Sequence, residues 1–247
     1  MLATQSMLRG GNEWQLAPLY ALRAGGIMLP FTASLTPLVT AMNRDAVFNM
    51  LQMQHRMNNR VHADWISQRF EWYRAVWIEC AELMDHVGYK WWKKQTPDME
   101  QVRLEVVDIW HFGMSALFEA DSDLSDLADQ IVSAAAAAPA GDKSIHSATE
   151  ALAQSSLETQ SFSVSHFVAL MEACGLSSAE LYRHYVGKNV LNFFRQDHGY
   201  QEGTYVKQWQ DREDNEHLSE ILDLLDADDP QFPEAVYDAL TQRYPDS

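Results

Sequence analysis

Apolar residues in this chain return every three or four positions and almost never alternate with polar ones. That spacing is the period of one face of an α-helix, and without period-two segments there are no half-buried strands from which to build a sheet. From Arg44 to Val61 the stripe runs through Val47, Leu51, Met57 and Val61. Further helices are expected at about Trp72 to His86, Met99 to Leu117, Ser165 to Cys174, Ser177 to Arg195, Asn215 to Asp226 and Pro233 to Tyr244. Local signals support several of these ends. Gly88 and Gly175 are placed to stop a helix, Asp98 to cap one, and Ser177 or Ser178 with Glu180 to open one. The expected fold class is all-α, a helical bundle.

Two regions stand apart. Residues 119–165 carry the acidic stretch "DSDLSDLADQ" and the low-complexity run "SAAAAAPAGDKS", broken by Pro139 and Gly141. They read as a long variable insertion with short helices and mobile joints. Residues 1–41 have scattered Gly and Pro, a single acidic residue (Glu13) and no sustained period. They are expected to form an N-terminal extension, poorly ordered or outside the main fold, leaving 42–247 as the principal domain. "DHGYQEGTYVKQWQDREDN", from Asp197 to Asn215, reads as an ordered loop.

The net charge of −17 argues against nucleic acid as a bulk partner, since no general basic field would attract phosphates. An anionic substrate must instead meet local cations or a bound metal. No apolar stretch reaches the roughly 18 residues needed to span a membrane. Cys80 and Cys174 fit neither a metal spacing nor a disulfide framework, so a cytoplasmic setting is expected. Import into an organelle through residues 1–41 stays open.

The chemistry concentrates in two apolar runs, "VWIECAELM" (Val76 to Met84) and "RLEVVDIWHF" (Arg103 to Phe112). On a helix, residues three apart share a face, so Glu79 and Glu82 form one acidic pair and Glu105 and Asp108 another. A lone pair of this kind is most often the solvated edge of an amphipathic helix. Here Glu79 and Glu82 are the only charges between Ala75 and Met84, and the pattern repeats after a connector short enough to make the helices antiparallel neighbours. Converging carboxylates form an all-oxygen site suited to Mg²⁺, with Mn²⁺ as a substitute. A di-iron centre competes, because Asp108 and His111 form a carboxylate-x-x-His unit. The upstream helix supplies no second unit in phase, since His86 follows Asp85 directly.

The ordered series "LQMQHRMNNRV", "IECAELMDHVGYKWWKKQ", "QVRLEVVDIWHF", "KNVLNFFRQDHGYQEGTYVKQW" and "REDNEHL" resembles the dimeric, all-α dUTPase family, within the wider all-α nucleoside triphosphate pyrophosphohydrolases. The likeness runs from about Asn43 to the final helix, with residues 1–41 and the insertion outside it. It implies hydrolysis of dUTP to dUMP and pyrophosphate, and of dUDP to dUMP and phosphate, by a Mg²⁺-dependent homodimer. It also implies that Glu79, Glu82, Glu105 and Asp108 hold the metal, with Glu82 orienting or deprotonating the attacking water.

By the same resemblance, Gln54 and Asn58 are the amide pair at the base-binding end. Amides can meet both the carbonyl acceptors and the N3–H donor of uracil. Trp91, Trp92, His111 and Asn189 or Asn192 fall near the nucleoside. Lys188, Arg195, Lys207 and Arg212 meet the phosphates, Gly203 lets the loop approach them, and Tyr205 bars a ribose 2′-hydroxyl. Two other readings compete: a related pyrophosphohydrolase for another nucleotide such as dCTP, and a non-catalytic helical interaction protein.

Overall fold

Helical periodicity is realised along nearly all of the chain for which placement is defined. A computed structural model describes residues 42–138, 144–227 and 229–245. In chain order these form α1 (Arg44–Val61), α2 (Trp72–Val87), α3 (Met99–Leu117), α4 (Leu124–Ala136), α5 (Ile145–Thr159), α6 (Val164–Ala173) and α7 (Ser178–Asp197). A short antiparallel pair follows, β1 (Gln208–Trp209) and β2 (Arg212–Glu213), then α8 (Asp214–Leu224) and α9 (Phe232–Arg243). The fold is all-α. The expectation for residues 1–41 lies outside the described residues.

Side chains cap the starts of these helices, and at Asp98 and Ser177 the sequence signals the cap. Asn43 Oδ1 accepts the Ala46 N–H at 3.0 Å, and Asp98 Oδ1 accepts that of Gln101 at 3.2 Å. Ser177 and Glu180 bond reciprocally, Ser177 N–H to Glu180 Oε2 at 2.8 Å and Glu180 N–H to Ser177 Oγ at 3.2 Å. Caps of this kind typically contribute about 1 kcal/mol each. α2 ends at Gly88, whose N–H donates to Met84 O at 3.1 Å. Asp98 N–H then donates to His86 O at 3.0 Å, which seats the start of α3 beside the end of α2 and makes the two helices antiparallel.

α3 is the central element. Its residues Val106, Val107, Ile109, Trp110 and Met114 have no exposed surface. Trp110 stacks on Phe167 of α6 with centroids 4.7 Å apart, and its indole N–H meets Met50 Sδ at 3.4 Å. Truncating a side chain this size in a packed core costs about 3–5 kcal/mol. α1, α2, α6 and α7 all pack on α3, so four separate stretches of sequence meet around it. Gly187 permits the close approach of α7 and α8: a Cβ there would lie 2.6 Å from Leu222 Cδ2.

The insertion differs from its sequence reading. α4 and α5 are full helices of 13 and 15 residues, opened by Asp123 and Ser144 caps, and α5 packs along α2. Ala-rich sequence has high intrinsic helix propensity, and contact with α2 supplies the rest. His146 Nε2 lies 3.0 Å from Gly88 O, which ties α5 to the 88–98 connector.

Candidate active site

Glu79 from α2 and Glu105 and Asp108 from α3 offer carboxylate oxygens that all lie within 4.8 Å of one another. Their apolar neighbours seat them at the α2–α3 contact, and Glu105 is only 8% exposed. Burial, and then the charge of Asp108, push the Glu79 carboxyl up to about 7. The same causes, followed by Glu79 itself, push Glu105 up to about 9. The interaction between the two glutamates favours the charged form of Glu79 and the neutral form of Glu105.

Little positive charge offsets this trio. Lys188 Nζ sits 2.7 Å from Asp108 Oδ2, and His86 Nε2 lies 3.5 Å from Glu105 Oε1. A partly buried, oxygen-only set that retains a proton for want of counter-charge fits a hard divalent cation such as Mg²⁺ or Mn²⁺. Glu82 stands outside the trio, exposed on α2. Its charge still reaches Glu79 and contributes to raising it.

On the other side of the same cleft is a hydrogen-bonded polar network. Gln54 and Asn58, one turn apart on α1, bond at 3.0 Å, and both amides donate to Ser115 Oγ, at 3.1 and 2.9 Å. Ser115 Oγ donates back to His111 O at 2.9 Å. Gln54 Oε1 lies 2.8 Å from His111 Nδ1 and 3.0 Å from Tyr185 Oη, which also reaches Met50 O at 2.9 Å. The His111 and Tyr185 rings stack 4.3 Å apart.

Burial pushes the His111 imidazole down to about 3, so it is neutral. With an amide oxygen as partner, Nδ1 carries the proton and donates. Nε2 is then a bare acceptor, buried and without a partner among the described residues. The His111 ring belongs to this network and not to the carboxylates, which leaves the carboxylate-x-x-His unit without its histidine ligand.

Two of the three carboxylates and the near end of the network share a cleft of about 440 Å³. Gln54, Asn58 and His111 line it, as do Glu79, Asp108, Lys188, Asn192, Arg195 and Tyr200. Trp65, Phe70, Trp72 and Phe112 form an aromatic side. Lys188 and Arg195 lie two turns apart on α7 and supply the cations. Arg195 makes two parallel bonds of 2.8 Å to Asp214, and Tyr205 Oη donates to the same carboxylate at 2.8 Å. Burial disfavours a charged Asp214, but Arg195 and Tyr205 outweigh it and hold the carboxyl below its usual range.

Several residues named from the sequence are not in this cleft. Trp91 and Trp92 are 90% and 61% exposed on the connector after α2, neither core nor cleft wall. Lys207 pairs with Glu213 at 2.9 Å, and Arg212 pairs with Glu220, so both cations are engaged locally. Tyr205 is turned to Asp214, while Tyr200 of the same loop lines the cleft. Gly203 lies in that loop with φ +72° and open space at its Cβ position. Asn189 is buried beside Tyr185, away from the cleft wall.

Ser115, Tyr185, Tyr200, Asp214 and Asn215 were not singled out from the sequence. Ser115 carried a usable signal, since it sits four residues after His111 on the same helix face. The others face the site through contacts distant in sequence.

A family model described as dUTPase matches residues 46–200, from α1 to the loop after α7. No curated protein matches the chain. Among the described residues no helix is long and apolar enough to cross a membrane.

Proposed function

The chain belongs to the dUTPase family and is an enzyme that hydrolyses dUTP; from that premise we propose a Mg²⁺-dependent dUTP diphosphatase that also converts dUDP to dUMP and phosphate. One observation carries this reading. A single cleft brings Glu79 and Asp108, two of an acidic trio short of counter-charge, together with a neutral, hydrogen-bonded amide–imidazole network, and Lys188 and Arg195 line the same cleft. The catalytic domain is residues 42–247, with 119–165 inserted.

In this reading uracil enters at Gln54, Asn58 and His111. His111 Nε2, a bare acceptor, takes the N3–H of uracil, and the Asn58 Nδ2–H not spent on Ser115 meets a carbonyl. Cytosine presents an acceptor at N3, which would set two lone pairs against each other and leave both unpaired. Asn192 and the aromatic wall flank the deoxyribose.

Glu79, Glu105 and Asp108 hold the metal. When bound, it neutralises phosphate charge and lowers the pKa of water. Lys188 and Arg195 meet the phosphate tail, and Glu82 takes the proton of the attacking water. In line with what the resemblance implies, attack is assigned to the β-phosphorus. There the water oxygen forms a new P–O bond, and the bond to the nucleotide breaks to release dUMP. The exposed Trp91 and Trp92 support a homodimer, because a large exposed aromatic pair favours coverage by a partner. The free Cys80 and Cys174 support a cytoplasmic setting.

A panel of dUTP, dUDP, dCTP, dTTP and UTP with Mg²⁺, read as pyrophosphate or phosphate release, tests the proposal. Selective turnover of dUTP and dUDP is expected. A preference for dCTP would overturn the base assignment and leave the metal assignment standing.

A further inference from the structure

Among the described residues Asp214 is the one carboxylate-bearing residue with no exposed surface, although it opens α8, next to a loop. Each of its side-chain oxygens is committed. Oδ1 and Oδ2 take the parallel bonds from Arg195, and Oδ2 also accepts from Tyr205. The following residue, Asn215, turns its Oδ1 to Lys188 Nζ at 3.0 Å and to Arg195 Nη2 at 3.4 Å. The first turn of α8 therefore grips both cations of the cleft at once. Its own placement is over-determined by the Asp214 N–H bond to Lys207 O at 3.0 Å, by the Glu213–Glu216 capping box and by the close α7–α8 approach at Gly187.

A buried Asp–Arg pair is a poor device for stability alone, because desolvating both charges offsets much of their attraction. What it does supply is fixed geometry. Free lysine and arginine side chains carry about 2 kcal/mol of rotamer entropy each, which a phosphate ligand would otherwise have to quench on binding. Arg195 and Lys188 both line the cleft while anchored from behind by α8.

We propose that Asp214 and Asn215 are positioning residues that hold Arg195 and Lys188 pre-aimed at the phosphate tail of the substrate. This rests on the reading of those two cations as phosphate-binding groups. Asp214 fixes the guanidinium plane, Asn215 couples the guanidinium to the ammonium, and Tyr205 serves the site by orienting Asp214.

The test uses the full chain with Mg²⁺ and the variants Asp214→Asn, Asn215→Ala, Arg195→Ala and the double variant Arg195→Ala/Asp214→Asn. KM and kcat for dUTP are measured beside competitive inhibition by deoxyuridine, which has the base and sugar but no phosphate. Asp214→Asn and Asn215→Ala are each expected to raise KM for dUTP about tenfold, equivalent to about 1.4 kcal/mol, with deoxyuridine inhibition unchanged. Adding Asp214→Asn to Arg195→Ala should cost less than about a further twofold, because the aspartate acts through the arginine.

Equal weakening of dUTP and deoxyuridine would assign Asp214 a purely structural role and overturn the proposal, as would additive losses in the double variant. If Arg195→Ala raises KM while Asp214→Asn and Asn215→Ala do not, positioning is refuted and the phosphate reading stands. If Arg195→Ala itself leaves KM unchanged, the phosphate reading falls and the proposal with it. Asn215→Ala removes no charge, so it carries the test should Asp214→Asn fail to fold.

Discussion

The two sides of the cleft are built on opposite principles. At the amide side Gln54, Asn58, Ser115, His111 and Tyr185 satisfy one another, and one buried acceptor, His111 Nε2, is left over. At the acidic side Glu79, Glu105 and Asp108 are gathered around too little positive charge, and a proton fills part of the gap. The first is held in place by its own hydrogen bonds before any ligand arrives and suits recognition by shape and hydrogen-bond pattern. The second is complete only with a cation. Neighbouring residues of α3 serve both, so a single helix joins a selective end to a reactive one.

The contrast can be broken most severely at the trio. Glu105→Gln mimics the neutral form that Glu105 already has, so melting in EDTA should be unchanged while Mg²⁺-dependent turnover falls on the order of 10³-fold. A large loss of stability in EDTA would show that Glu105 is charged without metal. At the amide side, His111→Phe keeps a ring against Tyr185 but removes the acceptor. The ratio of kcat/KM for dUTP over dCTP should then shrink about 10²-fold, with metal affinity unchanged. A ratio left intact would take His111 out of base selection.

Ser115→Ala removes the hydroxyl that receives both amides and should cost about 1–2 kcal/mol of stability, read by chemical denaturation. It should also lower kcat/KM for dUTP several-fold.

The smallest expected effect is in pH. Glu79 and Glu105 have folded-state values raised above their unfolded ones, so the folded chain binds more protons than the unfolded chain between them. That contribution to stability is present below about pH 4.5 and is lost as pH rises through about 7 and about 9. Metal-free protein should therefore melt a few degrees lower at the alkaline end of this range. Saturating Mg²⁺ should flatten the trend, because the metal takes the place of the proton. A metal-free melting temperature that climbs over the same range would contradict the raised carboxyls.

What the sequence made legible was whatever depends on short spacing. Glu79, Glu105 and Asp108 stood out as charges inside apolar helical runs, and Gln54 and Asn58 share a face because they are four apart. The caps at Asp98 and Ser177 were readable for the same reason. The placement of side chains within the 197–215 loop was not, since a loop has no period to say which residue turns inward. Tyr200 lines the cleft while Tyr205 turns to Asp214, and "GYQEGTY" carries no mark of the difference. The resemblance implies phosphate contacts for Lys207 and Arg212, and their pairing with Glu213 and Glu220 is likewise a matter of loop placement that no period announces. The insertion was underestimated because α5 is supported by packing on α2, a contact between segments distant in sequence.

Direct titration of Mn²⁺ into nucleotide-free protein tests the central claim, that the buried trio is a divalent-cation site. Wild-type chain should bind Mn²⁺ and release protons on binding, more of them at pH 6 than at pH 9, because the carboxyls that hold protons are the ligands. Glu79→Gln and Asp108→Asn should each weaken binding by about 10-fold or more. Equal Mn²⁺ affinity in all three proteins, with no proton release, would contradict the account.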